Sequence, residues 1–178
     1  MRAFYDYRRE TLNRSRPNAG HFVIARLEES VSNVVVVTQN VDGLHEGAGS
    51  SSVFPLHGRI MEDRCHAGCA GVYPAGLHRT ICPVCGAGSM RPNVVWFGEA
   101  LDEEVLLRAS AAVLACDLFF SIGTSGLVYP AAGFVGLAMQ RGIPVIEINP
   151  EETPFSEKAD VVIRLPAAEA LPRICDAL

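Results

Sequence analysis

Four consecutive valines, Val34 to Val37, constrain the fold more than any other stretch of this chain. A β-branched run bounded by polar residues predicts a strand, Val34–Thr38, buried on both faces, and such strands belong to parallel sheets covered by helices. Leu118–Ile122, Pro144–Ile148 and Val161–Leu165 repeat the pattern. Helical stretches lie between them. Asn18 is placed to cap a helix over Ala19–Ser30, with Phe22, Ile24, Ala25 and Leu27 at its apolar positions. Asp102 is placed to cap a second through Ala115, with Glu103 and Glu104 in its positive first turn. Pro130 opens a third that runs to about Gln140 and stops near Gly142, and Pro166 opens a last one to Leu178. Met1–Leu12 reads as a further helix, broken by Arg16-Pro17-Asn18. Strands alternating with helices imply an α/β fold with a right-handed, doubly wound, Rossmann-like parallel sheet.

One segment departs from that texture. Between Arg59 and Arg91 the chain carries four cysteines and few large apolar residues. It reads as a small inserted module, residues 59–91, within a main domain of residues 1–58 and 92–178. Cys65-x3-Cys69 and Cys82-x2-Cys85 form two close pairs, and four thiolates so spaced can surround a tetrahedral zinc. The ligand set is closed, which makes the zinc structural; His66, adjacent to Cys65, is the weaker substitute. Cys116 and Cys175 stand alone. This clustering fits metal binding in a reducing compartment rather than a disulfide framework, so the expected location is cytoplasmic. A formal charge of -5 argues against a general nucleic-acid binder, and no apolar run approaches the roughly 20 residues of a membrane span.

The valine run is followed at once by Thr38-Gln39-Asn40-Val41-Asp42-Gly43-Leu44-His45, and later by Leu56-His57-Gly58. Ligands of open α/β sheets sit at the carboxyl ends of the strands, so this polar cluster is either a site or a loop whose Asn and Asp shape turns. Gly123-Thr124-Ser125-Gly126, between a strand and a helix, permits close backbone approach to an anion, although any such loop needs Gly and Ser. Val94-Val95-Trp96-Phe97-Gly98-Glu99 reads as a short extended stretch and a turn. Tyr5 and Arg8 share one helix face. An arginine fork beside a tyrosine hydroxyl suits a carboxylate, and equally a solvated arginine face.

Taken in order, these motifs resemble the sirtuins, NAD-dependent protein deacylases whose signature runs T-Q-N-x-D-x-L-H and then L-H-G. The resemblance covers nearly all 178 residues. It implies that His57 is the general base, an imidazole being suited to proton transfer near neutral pH. It also implies that Gln39, Asn40 and Asp42 position the ribose and nicotinamide of NAD. Gly123, Thr124 and Ser125 match the family's G-T-S loop against the dinucleotide, and Asn149 the I-N segment near the adenosine ribose. Val95, Trp96, Phe97, Gly98 and Glu99, with Val128 from the loop after G-T-S, match the stretches that sandwich a substrate peptide by strand addition. Cys65, Cys69, Cys82 and Cys85 match the family's four-cysteine zinc module. Tyr5-Asp6-Tyr7-Arg8-Arg9 resembles the subgroup that removes succinyl and malonyl groups, in which Tyr5 and Arg8 would bind the acyl carboxylate; Arg9 and His45 are assigned structural roles. The implied reaction passes the acyl group of an acylated lysine peptide to ADP-ribose, with release of nicotinamide and no hydride transfer.

Sirtuins begin with a strand and a G-A-G-x-S loop that do not occur here. The expectation is therefore that two strand edges lie open, that Met1 is not the natural start of a fully active enzyme, and that self-association or a missing N-terminal segment completes the sheet. The competing reading is a catalytically weak module that binds acyl-lysine or ADP-ribose-like ligands.

Overall fold

The computed structural model describes residues 2–76 and 80–175. Helix α1, Arg2–Arg14, is followed by α2, Ala19–Ser30. Asn18 caps α2 as expected: its side chain accepts from the His21 backbone N–H, while the Asn18 N–H donates to His21 Nδ1, so two otherwise orphaned donors are satisfied.

The valine run forms a shorter strand than expected, β1, Val36–Thr38, and it is half-buried rather than covered on both faces. It pairs in parallel only with β2, Val53–Pro55. Neither β2 nor the short helix α3, Leu44–Ala48, was expected within the polar loop. The inserted unit is antiparallel: β3, Gly58–Cys65, lies between β4, Val72–Pro74, and β5, Met90–Val94. Because Gly58 pairs with Val94, this sheet extends past residues 59–91 on both sides. Of the expected extended stretch 94–97, only Val94 lies in a strand.

Helix α4, Glu103–Ala115, is capped by Asp102, whose carboxylate accepts from the Val105 N–H. Then follow β6, Phe119–Ile122, α5, Ala131–Gln140, β7, Val145–Ile148, β8, Val161–Ile163, and α6, Ala167–Cys175. Pro130 occupies the cap position of α5 rather than its first turn. Residues 176–178, the expected end of α6, lie outside the described residues. β6, β7 and β8 pair in parallel in that order. Strand β8 is largely exposed because it borders only β7. Among the described residues the parallel strands thus form two sheets, and β1 and β6 each keep one edge without a strand partner.

The double winding shows in the core. Val145, Ala109, Val113, Phe134 and Val135 pack on one side with α4 and α5. Ile148, Val23, Ala170 and Leu171 pack on the other with α2 and α6. Val145 and Ile148 are three residues apart in one strand, hence on opposite faces. Each such side chain, fully buried, contributes about 1.5–3 kcal/mol.

Glu147 of β7 is a carboxylate at about 1% exposure. It accepts from Ser156 Oγ at 2.7 Å and also from Thr153 Oγ1 and Arg164 Nη1. Burial pushes its carboxyl up, but the two hydroxyls and the Arg164 guanidinium outweigh this and hold it below the usual range. A folded-state pKa below the unfolded one adds stability above the unfolded value, which is lost as pH falls through the folded one. Glu147→Gln, which weakens the charge-assisted bonds from Ser156, Thr153 and the partly exposed Arg164, is therefore expected to cost about 1–3 kcal/mol at neutral pH. Thermal melts of the two proteins should begin to converge as pH falls below the ordinary carboxyl value of about 4, and should meet only below the depressed folded-state value.

Candidate functional site

The carboxyl ends of β1, β6 and β7 are tied together by side chains. Gln39, directly after β1, donates through Nε2 to Thr124 Oγ1 at 3.1 Å. Asn149, after β7 and almost fully buried, donates through Nδ2 to the Thr124 carbonyl at 2.8 Å and accepts from the Glu151 N–H at 3.1 Å. Three segments far apart in the chain therefore meet at Thr124. Asn40 is exposed, and Asp42 accepts from the Leu44 N–H at 2.9 Å, which starts α3. Gly123 and Ser125 lie exposed on the rim. Ser125 Oγ accepts from the Leu127 N–H, and Val128 stands on the open surface beside it.

His57 sits beside this junction. Its Nδ1 lies 2.9 Å from the Gln39 carbonyl. A carbonyl only accepts, so the contact assigns the proton to Nδ1 and leaves the Nε2 lone pair free to take another. That is the tautomer a general base needs. The ring's position follows from backbone constraints: the Val95 N–H donates to the His57 carbonyl at 3.0 Å. Gly58 adopts φ +77°, and a Cβ there would stand 2.1 Å from the Asn93 carbonyl oxygen. Only glycine allows β5 to pass so closely beside His57.

Helix α1 closes the other side. Tyr7, Arg8, Thr11 and Leu12 face Gln39, Asn40, Val41 and Asp42 across a cleft of about 480 Å³, within the range of small-ligand sites. Arg9 has the structural role expected of it: it donates to the Ile60 and Glu62 carbonyls and pairs with Asp63 at 2.7 Å, which moors α1 on β3. Arg8 is exposed, with its guanidinium 5.6 Å from the Phe4 ring centre. The Tyr5 hydroxyl accepts from Trp96 Nε1 at 2.7 Å.

The stretch Val95–Glu99 turns away from β5. Phe97 is wholly exposed and Gly98 exposed. Glu99 is not free to reach outward: its carboxylate accepts from the Trp96 N–H and from Arg64, both at 3.0 Å, and from Arg91 at 2.6 Å. Burial raises its pKa, and these three donors more than reverse the effect. Arg64 and Arg91 are absent from the sequence-based site because nothing near them in the chain signals a shared carboxylate.

The four cysteine sulfurs lie within 4.8 Å of one another, with Cys65 and Cys85 4.0 Å apart. Zinc–sulfur bonds of 2.3 Å at tetrahedral angles place sulfurs about 3.8 Å apart, so the set fits zinc. The longer first spacing is accommodated, and His66 lies outside the set, its ring 6.2 Å from that of Trp96. Backbone N–H groups of Ala87 and Gly88 pull the Cys85 thiol down to about 6, whereas sulfur neighbours, Cys85 first, push Cys69 up to about 12. A Cβ on Gly88 would lie 2.8 Å from Cys65 Sγ and 3.1 Å from Cys85 Sγ. The backbone at position 88 thus leaves no room for a side chain beside the two sulfurs. His45 packs against His21 with ring centres 4.8 Å apart, and burial lowers its pKa, in keeping with a structural role.

Comparison with known proteins agrees with this geometry. The Sir2 family pattern matches residues 1–130. The chain is 45% identical over 170 residues to NAD-dependent protein deacylase 1 of Caldanaerobacter subterraneus subsp. tengcongensis, covering 93% of this chain and 70% of that protein. Among solved structures, a Sir2 homologue in complex with NAD superposes with a TM-score of 0.91 at 38% identity, covering 98% of this chain and 70% of the other. A Sir2–p53 peptide–NAD+ complex superposes at 0.87 with 31% identity, covering 98% and 76%.

Proposed function

We propose, on the premise that this chain belongs to the Sir2 family, that it is an NAD-dependent protein-lysine deacylase that favours succinyl and malonyl over acetyl groups and works in the reducing cytoplasm. The observation that carries the activity is the junction of Gln39, Thr124 and Asn149 beside a histidine whose Nε2 is free. NAD enters as a cosubstrate. The acyl carbonyl oxygen attacks the ribose carbon that nicotinamide leaves, His57 takes the proton of a ribose hydroxyl that then bonds to the acyl carbon, and water completes the transfer as the lysine amine departs. Gln39, Asn40, Asp42, the Gly123–Ser125 loop and Asn149 hold the dinucleotide. The backbone of Val95–Gly98 and of Val128 pairs with the peptide, so recognition of the acylated lysine places little demand on flanking sequence. Zinc, held by Cys65, Cys69, Cys82 and Cys85, supports the fold and takes no part in the reaction.

The acyl preference rests on Tyr5 and Arg8. One arginine at the cleft and one tyrosine hydroxyl on the same helix face offer charge-assisted hydrogen bonds to a terminal carboxylate. Such bonds contribute about 1.5–3 kcal/mol each, so Arg8→Met should lower kcat/KM for a succinyl-lysine peptide by about ten- to a hundredfold relative to the matched acetyl peptide. Nicotinamide release measured with both peptides tests this. An unchanged ratio would remove the acid pocket from the assignment.

A further inference from the structure

We propose that Trp96 is the positioning residue for recognition of acid-terminated acyl chains, acting through Tyr5. This inference rests on the acid pocket proposed above and goes beyond it to what aims the tyrosine. A tyrosine hydroxyl has one proton to donate and lone pairs that accept, whereas an indole N–H only donates. The 2.7 Å contact from Trp96 Nε1 therefore occupies an acceptor site of the Tyr5 oxygen. The hydroxyl proton must point elsewhere. It cannot return to the indole, so it is available to a carboxylate, whose oxygens only accept. Without the indole N–H, the hydroxyl rotates freely and is as ready to accept from water as to donate.

The geometry holds both partners firmly. The Arg91 guanidinium stacks 4.0 Å above the Trp96 ring centre. Arg91 is itself fixed by Glu99 at 2.6 Å and by the Val94 carbonyl at 3.0 Å. The Trp96 N–H binds the same Glu99 carboxylate, so backbone and ring of this residue are set by one ion-pair group. On the other side, Arg9 moors α1 to β3, and the Phe4 ring meets Tyr5 edge-on with centres 5.3 Å apart. The contact spans 91 positions of sequence and joins the helix that carries the acid pocket to the stretch that pairs with the peptide. An aromatic ring alone at position 96 would preserve the stack; only the indole supplies the donor.

Trp96→Phe keeps the stack and removes the N–H. The readout is the ratio of kcat/KM for succinyl- and acetyl-lysine peptides of one sequence, which cancels any general disturbance of peptide binding. The ratio is expected to fall about three- to tenfold, the effect of one neutral hydrogen bond, with the loss in KM for the succinyl peptide. Tyr5→Phe is measured in parallel and should lower the ratio at least as far. Trp96 is the only tryptophan, so its emission offers a second readout: the shift with succinyl peptide should exceed that with the matched acetyl peptide in the native protein, and the excess should vanish in Tyr5→Phe. If Tyr5→Phe lowers the ratio and Trp96→Phe does not, the positioning role is overturned and the acid pocket stands. If neither variant changes the ratio, both readings fall together.

Discussion

Replacing His57 with alanine should reduce nicotinamide release coupled to deacylation by about 10²–10⁴-fold, the usual contribution of a positioned acid–base group. The expectation follows from one contact. The Gln39 carbonyl holds Nδ1 in its protonated form, so the second nitrogen is the basic one, and Gln39 is also the residue tied to the nucleotide loop through Thr124. His57 and the Gly123–Ser125 loop are thus registered against each other through one residue, the backbone carbonyl of Gln39 meeting the imidazole and its side chain meeting Thr124. The ring is half-buried, so its removal is expected to leave the melting temperature within a few degrees of the native value. Turnover and melting measured on the same preparation separate loss of the base from loss of the fold. A variant retaining more than a tenth of native turnover would move the proton-accepting role to another group.

Withdrawing zinc is the second large perturbation. Among the described residues the antiparallel unit buries few apolar side chains: its fully buried members are Ile60, Asp63 and two of the ligands, Cys65 and Cys82. Metal binding in such units is folding free energy, about 10–16 kcal/mol in small zinc domains. Chelation should therefore unfold β3, β4 and β5 together. Activity should fall with them, although zinc touches no substrate, because β3 begins one residue after His57 and the Val95 N–H is bonded to the His57 carbonyl. Gly88→Ala is the finer test, since its methyl group would displace two ligand sulfurs. It should lower zinc content per chain and reproduce part of the chelated phenotype, read by metal analysis and circular dichroism. A chelated protein with native melting and native turnover would show that the cysteines do not support the site.

Much of this architecture is written locally. Asn18 and Asp102 cap their helices because a short side chain meets its own backbone three residues on, an interaction that needs no tertiary partner. Strands β6, β7 and β8 stand where short apolar runs alternate with helical stretches. The cysteine pairs, with three residues between Cys65 and Cys69 and two between Cys82 and Cys85, are close enough to share one metal whatever surrounds them. Strand β2 escaped notice because three residues ending in proline carry no periodicity, and it exists only because β1 lies beside it. The half-burial of β1 was equally invisible: the valine run marks a strand that wants cover on both faces, but the cover depends on which neighbours arrive.

The site divides along the same line. Residue types, and thus the chemistry available, were determined by sequence alone: an imidazole, an amide-rich loop, four thiols, and an arginine with a tyrosine on one helix face. What only the tertiary structure decided is how they meet. Gln39 reaches Thr124 across 85 positions, Asn149 reaches it from the other direction, Arg64 and Arg91 converge on Glu99, and Tyr5 is found by Trp96. Caps and metal pairs are set by covalent proximity, so their energies are local. These longer contacts form only after burial of the two core faces has fixed the strands and helices in place, and no short stretch of sequence encodes that packing.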